Sequence, residues 1–380
     1  MSQSTRPRQS GMSLVEALVS VVLLSMVVIA FLQIFDVSAK VAKSQGNISD
    51  ATESLRFSVA HLVRLVRMAG TGGLPLCYPD GSSNLQPLSV DSADNVSTGS
   101  VTIGGRTALA DSDVLYVRGV VESELYDIQG VVALSSDTGD GTLTIPAVSP
   151  FTGNAQDLRA PSSPASYPIM IGLQTPLDIM PGSGIGGVRH YANYRIVHAA
   201  GGTPVTMNPG NMVISFVVTG SEIAHNPGGA PFPSFDKSFA YIAGFLDTYA
   251  YFVAANDAGE PSLFRSAGGG NAEELVPNIY TLQVAFGCDI NRDAVIQPAE
   301  WYEDRGGTDA HPTGDQMATV REVRLSVVAR SQDPEPGWTT DVRIPENFPN
   351  NGAVPAADVG YRYRVMTVRV ALRSHPPLVT

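Results

Sequence analysis

Residues 17–35, ALVSVVLLSMVVIAFLQIF, form a 19-residue stretch without a charge, and extension back to residue 12 gives 24 positions interrupted only by Glu16. At about 1.5 Å of rise per residue, that length reaches roughly 36 Å as a helix, enough to cross a bilayer. The helical pattern continues beyond it. Val37, Val41, Ser44, Ile48, Ala51, Leu55, Val59, Leu62 and Val66 recur at spacings of three and four, one face of an amphipathic helix. Gly46 falls inside this stretch as a soft point, because an interior glycine costs about 1 kcal/mol relative to alanine. Arg64 and Arg67 sit in the last turns, where the macrodipole favours cations, and Gly70-Thr71-Gly72-Gly73 ends the pattern. The expectation is one helix of roughly 55 residues, apolar on all sides in its first half and one-faced in its second.

After Gly73 the periodicity changes to short apolar runs separated by Gly, Pro, Asn and Asp. Strands are expected at 113–118, 130–134, 143–147, 167–172, 194–198, 212–219, 240–254, 279–287, 320–330 and 361–373. The run Ser136-Asp137-Thr138-Gly139-Asp140-Gly141 reads as a hairpin turn, and long loops are expected at 79–100, 148–165, 220–237 and 331–359. The fold class is α+β: a long N-terminal helix, part membrane and part amphipathic, followed by a large antiparallel β-rich head of one or two domains.

Charge narrows the choice of partners. The 380-residue chain has 24 Lys+Arg against 36 Asp+Glu, a formal charge of -12, with lysine only at positions 40, 43 and 237. Without a basic stripe, no nucleic-acid binding is expected, since each phosphate contact would be made against the protein's own field.

Ahead of the apolar run stands MSQSTRPRQSG, with Arg6 and Arg8 and no acid. A secretory signal of this kind would end in small residues after its apolar region, and Val37-Ser38-Ala39 is a weak candidate for such a site. The long apolar run and Gly11-Met12-Ser13-Leu14-Val15-Glu16 on its other side favour a different reading. A glycine, four uncharged residues and a carboxylate just inside a membrane helix resemble the class III signal of type IV prepilins. The resemblance implies cleavage by a prepilin peptidase after Gly11 and N-methylation of Met12, where family members more often carry Phe. Glu16 becomes the fifth mature residue, and loss of two arginines takes the formal charge from -12 to -14. A carboxylate within an apolar helix costs about 2.5–3.5 kcal/mol on insertion scales, so it should face a partner or lie near the interface; a Glu at the helix end that snorkels or is protonated is the alternative. In pilins that partner is the free α-amine of a neighbouring subunit.

Within that superfamily the chain resembles the PilW family of minor pilins. The resemblance rests on Arg67-Met68-Ala69-Gly70 followed by Cys77, Ser112-Asp113-Val114-Leu115, and Phe286-Gly287-Cys288-Asp289. It extends to Val323-Arg324-Leu325 through Arg330-Ser331, and to 367–374 (TVRVALRS). It implies a leader at 1–11, a membrane or filament-core helix at 12–35, its amphipathic continuation at 36–70 and a periplasmic or extracellular head at 71–380. The implied function is a non-enzymatic one: priming or capping a type IV pilus, at its tip or in its filament. Implied partners are other minor and major pilins, the prepilin peptidase, the inner-membrane assembly platform and a tip adhesin. The competing readings are a type II secretion pseudopilin of the GspJ kind and a membrane-anchored binding or enzymatic ectodomain.

Cys77 and Cys288 are the only two cysteines. In an oxidising compartment such a pair is bridged more often than free, and a loop of about 210 residues closed by a bridge is worth roughly 5 kcal/mol. Two separate buried thiols are the alternative. No cofactor is required, but one segment suits calcium. In 289–300, oxygen donors fall at loop positions 1 (Asp289), 3 (Asn291), 5 (Asp293), 9 (Gln297) and 12 (Glu300), with the Val295 carbonyl at 7. Ala294 stands where an EF-hand loop has glycine and a strand precedes it, so this is an EF-like loop outside an EF-hand fold; a polar connection capping its own turns is the alternative. Gly182-Ser183-Gly184-Ile185-Gly186-Gly187 matches GxGxxG without a following helix, which makes a dinucleotide site a poor reading. Histidines 61, 190, 198, 225, 311 and 375 show no ligand spacing.

Overall fold

The computed structural model describes residues 13–79, 85–94, 96–97, 99–129, 133–134, 141–178, 191–217, 240–303, 310–335 and 360–372. Two compact units divide the chain, Met1–Asp50 and Ala51–Thr380. One helix, Leu14–Met68, contributes to both. In the first unit every described residue from 13 to 43 is exposed, and the helix carries Leu14 at 81% and Phe35 at 69% exposure. It is long and apolar enough to cross a membrane. Two hydroxyls in the apolar run close on the helix's own carbonyls, Ser20 Oγ on Glu16 O at 2.8 Å and Ser25 Oγ on Val22 O at 2.7 Å. That leaves the serines compatible with lipid, where an unpaired hydroxyl is costly. Gly46 does not break the helix: nothing stands near its missing side chain, and one glycine among 55 residues is a small cost.

In the second unit the helix buries Ala51, Leu55, Ser58, Val59, Leu62, Leu65 and Val66. The expected face therefore begins to be covered at Ala51, while Val37 and Val41 stay 59% and 49% exposed. The helix ends at Met68, two residues before Gly70, whose φ of 73° takes the left-handed turn. Gly70 N–H then donates to Arg118 O at 2.9 Å. The close approach depends on Gly119, where a Cβ would stand 3.0 Å from Met68 O.

Two antiparallel sheets cover the buried helix face. One has the order Glu273–Pro277, Pro261–Ala267, Asp247–Ala255, Val114–Gly119, Val90–Ala93. The other has the order Trp301–Tyr302, Ile279–Cys288, Val320–Arg330, Tyr363–Ala371. Leu55, Leu62 and Val66 of the helix share a cluster with Leu115, Tyr251 and Val253 of the first sheet and Val284, Phe286 and Val327 of the second. Val320–Arg330 and Tyr363–Ala371 pair in one continuous register, Glu322 opposite Ala371 through Arg330 opposite Tyr363.

A third, eight-stranded sheet has its own core. Its order is Tyr126–Asp127, Ala240–Phe245, Pro168–Asp178, Tyr191–Ala199, Asn211–Val217, Gly141–Pro146, Ala133–Leu134, with Val205–Asn208 paired to Asn211–Val217. Tyr126, Ile145, Ile171, Val197, Ile214, Phe216 and Phe245 pack together there, with no helix residue among them.

The α+β architecture and all ten expected strand regions are present, with one division. The run 240–254 is two strands, Ala240–Phe245 in the eight-stranded sheet and Asp247–Ala255 in the five-stranded one. At the junction Leu246 N–H donates to Pro168 O at 2.8 Å, and the buried Asp247 carboxylate accepts Val121 N–H at 2.9 Å and Glu122 N–H at 2.8 Å. In the sequence the junction is marked only by Asp247-Thr248 within an otherwise apolar run whose two halves are both largely buried, too slight a break to announce a change of sheet. The strands Pro261–Ala267 and Glu273–Pro277 go unpredicted, one opening on a proline and the pair joined through Gly268-Gly269-Gly270. Val90–Ala93 forms within the expected loop 79–100. Of the expected turn 136–141 only Gly141 is described, where it opens a strand, and of the expected loop 331–359 only 331–335; the loop 220–237 and the glycine run 182–187 lie outside the described residues.

Candidate functional site

Ser13 and Glu16 start the long helix as a reciprocal pair. Ser13 Oγ accepts Glu16 N–H at 3.1 Å, and Glu16 Oε2 accepts Ser13 N–H at 3.4 Å. This is a capping box, two first-turn donors satisfied by the two side chains. Its consequence is directional: the Glu16 carboxylate folds back along the helix toward residue 12. The S-x-x-E spacing of 13–16 was legible in the sequence and would have added Ser13 to the site. The expected processing residues Gly11 and Met12 lie outside the described residues.

The 289–300 loop leaves strand Ile279–Cys288 and returns through the 3₁₀ turn Pro298–Glu300 into Trp301–Tyr302. Asp289 is 1% exposed; its Oδ2 pairs with Arg321 Nε at 2.5 Å and accepts Ala294 N–H at 3.1 Å. Glu300 Oε2 accepts Gln297 N–H at 2.8 Å, and Oε1 accepts Asn291 N–H at 3.4 Å. Asn291 Oδ1 accepts Asp293 N–H at 3.0 Å, and Asp293 Oδ1 accepts Val295 N–H at 2.8 Å. Among the described residues no group of three or more His, Cys, Asp and Glu side chains is gathered as metal ligands.

Cys77 and Cys288 are free thiols in the structure, Cys77 half-buried and Cys288 buried. Cys77 Sγ donates to Gly314 O at 3.5 Å and packs against the core cluster under the helix, to which Cys288 belongs. Burial pushes both thiols up, Cys77 far above the usual range and Cys288 to about 12.

One polar cluster was not expected. The Glu303 side chain, 0% exposed, hydrogen-bonds His311 Nδ1 and accepts Ser92 Oγ–H at 2.5 Å, while His311 Nε2 stands 3.5 Å from Asp91. The hydrogen bond to Glu303 raises the His311 pKa above the ordinary histidine value against the effect of burial. Burial raises the Glu303 and Asp91 pKa values. Among the described residues no serine bonds His311, so the arrangement is a strut between Val90–Ala93 and the end of Trp301–Tyr302, lacking the order of a nucleophilic triad. Its two halves, Asp91-Ser92 and Glu303 with His311, are some 200 positions apart, and no local pattern could have joined them.

No curated protein and no solved structure matches the chain. Two families do. Residues 6–32 match the prokaryotic N-terminal methylation motif, a span that takes in Gly11, Met12 and Glu16. Residues 250–374 match the type IV pilus-assembly protein W family, a span that takes in the whole four-stranded sheet. A methylation motif at one end, a pilus-assembly sequence at the other and a long apolar helix near the N-terminus together support a type IV minor pilin of the PilW family.

Proposed function

We propose that the chain is inserted in the inner membrane with its head in the periplasm, is cut after Gly11, is N-methylated on Met12, and enters the pilus as a subunit that primes or caps assembly. It performs no reaction of its own; Gly11 and Met12 are the peptidase's substrate. The reading is supported above all by the helix start, where the only charge in an otherwise apolar run folds back toward the residue that cleavage would leave as a free amine. In a filament the Glu16 carboxylate meets the Met12 α-amine of a neighbouring subunit. That pairing offsets the roughly 2.5–3.5 kcal/mol that a carboxylate costs in an apolar helix, and it fixes the axial register of the incoming chain. The exposed apolar surface of 14–35 then faces other helices in place of lipid.

N-terminal sequencing of the membrane-extracted protein tests this. A chain beginning at N-methylated Met12 is expected; an intact Met1, or a start after Ala39, overturns the reading. Glu16→Ala is expected to be cleaved normally and to lose most of its incorporation into sheared pili, and undiminished incorporation would remove Glu16 from the mechanism.

A further inference from the structure

We propose that the loop 289–300 is a calcium site, with Asp289 and Glu300 as its fixed carboxylates and Asn291, Asp293 and the Val295 carbonyl closing on the ion. The spacing of oxygen donors at positions 1, 3, 5, 7 and 12 suits a hard cation of calcium's size. The observation that points to a ligand is a single atom. Asp289 is 1% exposed and its Oδ2 is engaged by Arg321 and by the Ala294 amide, yet its Oδ1 is buried without a hydrogen-bond partner. A buried anionic oxygen left unmade is costly, and a cation in the loop is the group that would satisfy it. Because Oδ2 is held by a loop amide, the carboxylate as a whole is turned into the loop.

The other end of the loop is prepared in the same way. Glu300 is 8% exposed, and its Oε1 reaches back to the Asn291 amide at 3.4 Å, bringing the last donor over the first three. Between them Arg292 and Ala294 take left-handed φ values of 59° and 68°, a strained choice for residues other than glycine. The loop is fixed to the sheet by Ile296, which packs so closely on Gly287 that a Cβ there would stand 3.2 Å from it. Asp293 remains at the surface, bonded to Asn291 Nδ2 at 3.0 Å, so the third carboxylate is one that the ion draws in. Three carboxylates against the paired Arg321 and the exposed Arg292 leave a net negative charge that a divalent cation offsets. Magnesium, which demands near-ideal octahedral geometry and dehydrates reluctantly, fits a loop of this length less well.

The test uses the full chain in detergent, stripped with chelator, and measures calcium by equilibrium dialysis with magnesium in parallel. One calcium per chain is expected, with a Kd of about 10⁻⁴–10⁻³ M or tighter, the range of extracellular calcium modules. Asp293→Asn, at an exposed position, is expected to keep the wild-type circular dichroism and to weaken binding by roughly tenfold or more. Terbium gives a second readout, because Trp301 adjoins Glu300: tryptophan-sensitised emission should appear with the wild-type chain and be displaced by calcium. No bound calcium at about tenfold above that Kd range, equal retention of magnesium, or an unchanged Kd in Asp293→Asn with no terbium emission from the wild type each overturns the proposal.

Discussion

The two sheets that clasp the helix and the eight-stranded sheet beside them are built from the same antiparallel pairing but differ in what their cores contain. The clasping sheets share one cluster with Leu55, Leu62 and Val66 of the helix. The wide sheet packs Ile145, Ile214, Phe216 and Phe245 among themselves. The pilus-assembly match follows that division closely: it begins at residue 250, within Asp247–Ala255, and covers the rest of the clasp's C-terminal strands, while Tyr126 to Phe245 fall outside both matches. A core that includes the helix is constrained by the helix, since changing either partner leaves a cavity or a clash. A core closed on itself is free to change with its own loops.

The largest expected effects come from opening each core in turn. Leu62→Ala, at a position 0% exposed, and Phe216→Ala, at 1%, should each lower the stability of the head by about 2–5 kcal/mol, read as a fall in Tm of the full chain in detergent. The two should part in cells. Leu62→Ala loosens the attachment of the head to its helix and is expected to reduce incorporation into pili in proportion to its instability. Phe216→Ala should leave the helix attachment in place and incorporate normally at a permissive temperature. Equal defects in both would break the division between the two cores.

The junction should answer next. Asp247 lies where one strand passes into the next sheet, and its buried carboxylate holds the Val121 and Glu122 amides. Asp247→Ala strands both donors at a cost of about 1–3 kcal/mol. Because the residue belongs to neither core alone, hydrogen exchange should speed up on both sides of it, in Ala240–Phe245 and in Asp247–Ala255. Faster exchange confined to one strand would mean that the sheets open independently there.

The helix and most strands were legible because their signals are local: a run without charge, a period of three and four, an alternation of two. The capping box of Ser13 and Glu16 was equally local. What escaped was decided at a distance. The run 240–254 divides because Leu246 meets Pro168, and Pro261–Ala267 becomes a strand because Asp247–Ala255 offers it a partner from Tyr249–Ala267 to Ala255–Pro261. The Asp, Asn and Glu positions of 289–300 could be read from spacing, whereas the buried, unpartnered Oδ1 of Asp289 depends on Arg321 from the neighbouring strand. Glu303 and His311 meet Asp91 and Ser92 only because the two clasping sheets close on the same helix.

That last cluster gives the smallest effect and the one that separates the two regions by pH. His311 is raised chiefly by its hydrogen bond to Glu303, so its contribution to stability is complete below the ordinary histidine value of about 6.5 and is lost as pH rises through the higher folded value. Glu303 and Asp91 are raised by burial, and a raised acid also favours the native state at lower pH, so the three groups act in the same direction. Asp94 adds negative charge beside His311 and Glu303, and Arg118 faces Asp91. The Tm difference between wild type and His311→Gln is therefore expected to be largest at and below the ordinary histidine value of about 6.5 and to shrink as pH rises through the higher folded value, where the imidazole loses its proton. The Phe216→Ala difference serves as the reference: removing a ring from the apolar core of the wide sheet changes no titrating group and should shift Tm by the same amount across that range. A His311→Gln difference that stays flat alongside it would mean that the strut holds the clasp by shape alone, with the charge on His311 contributing nothing.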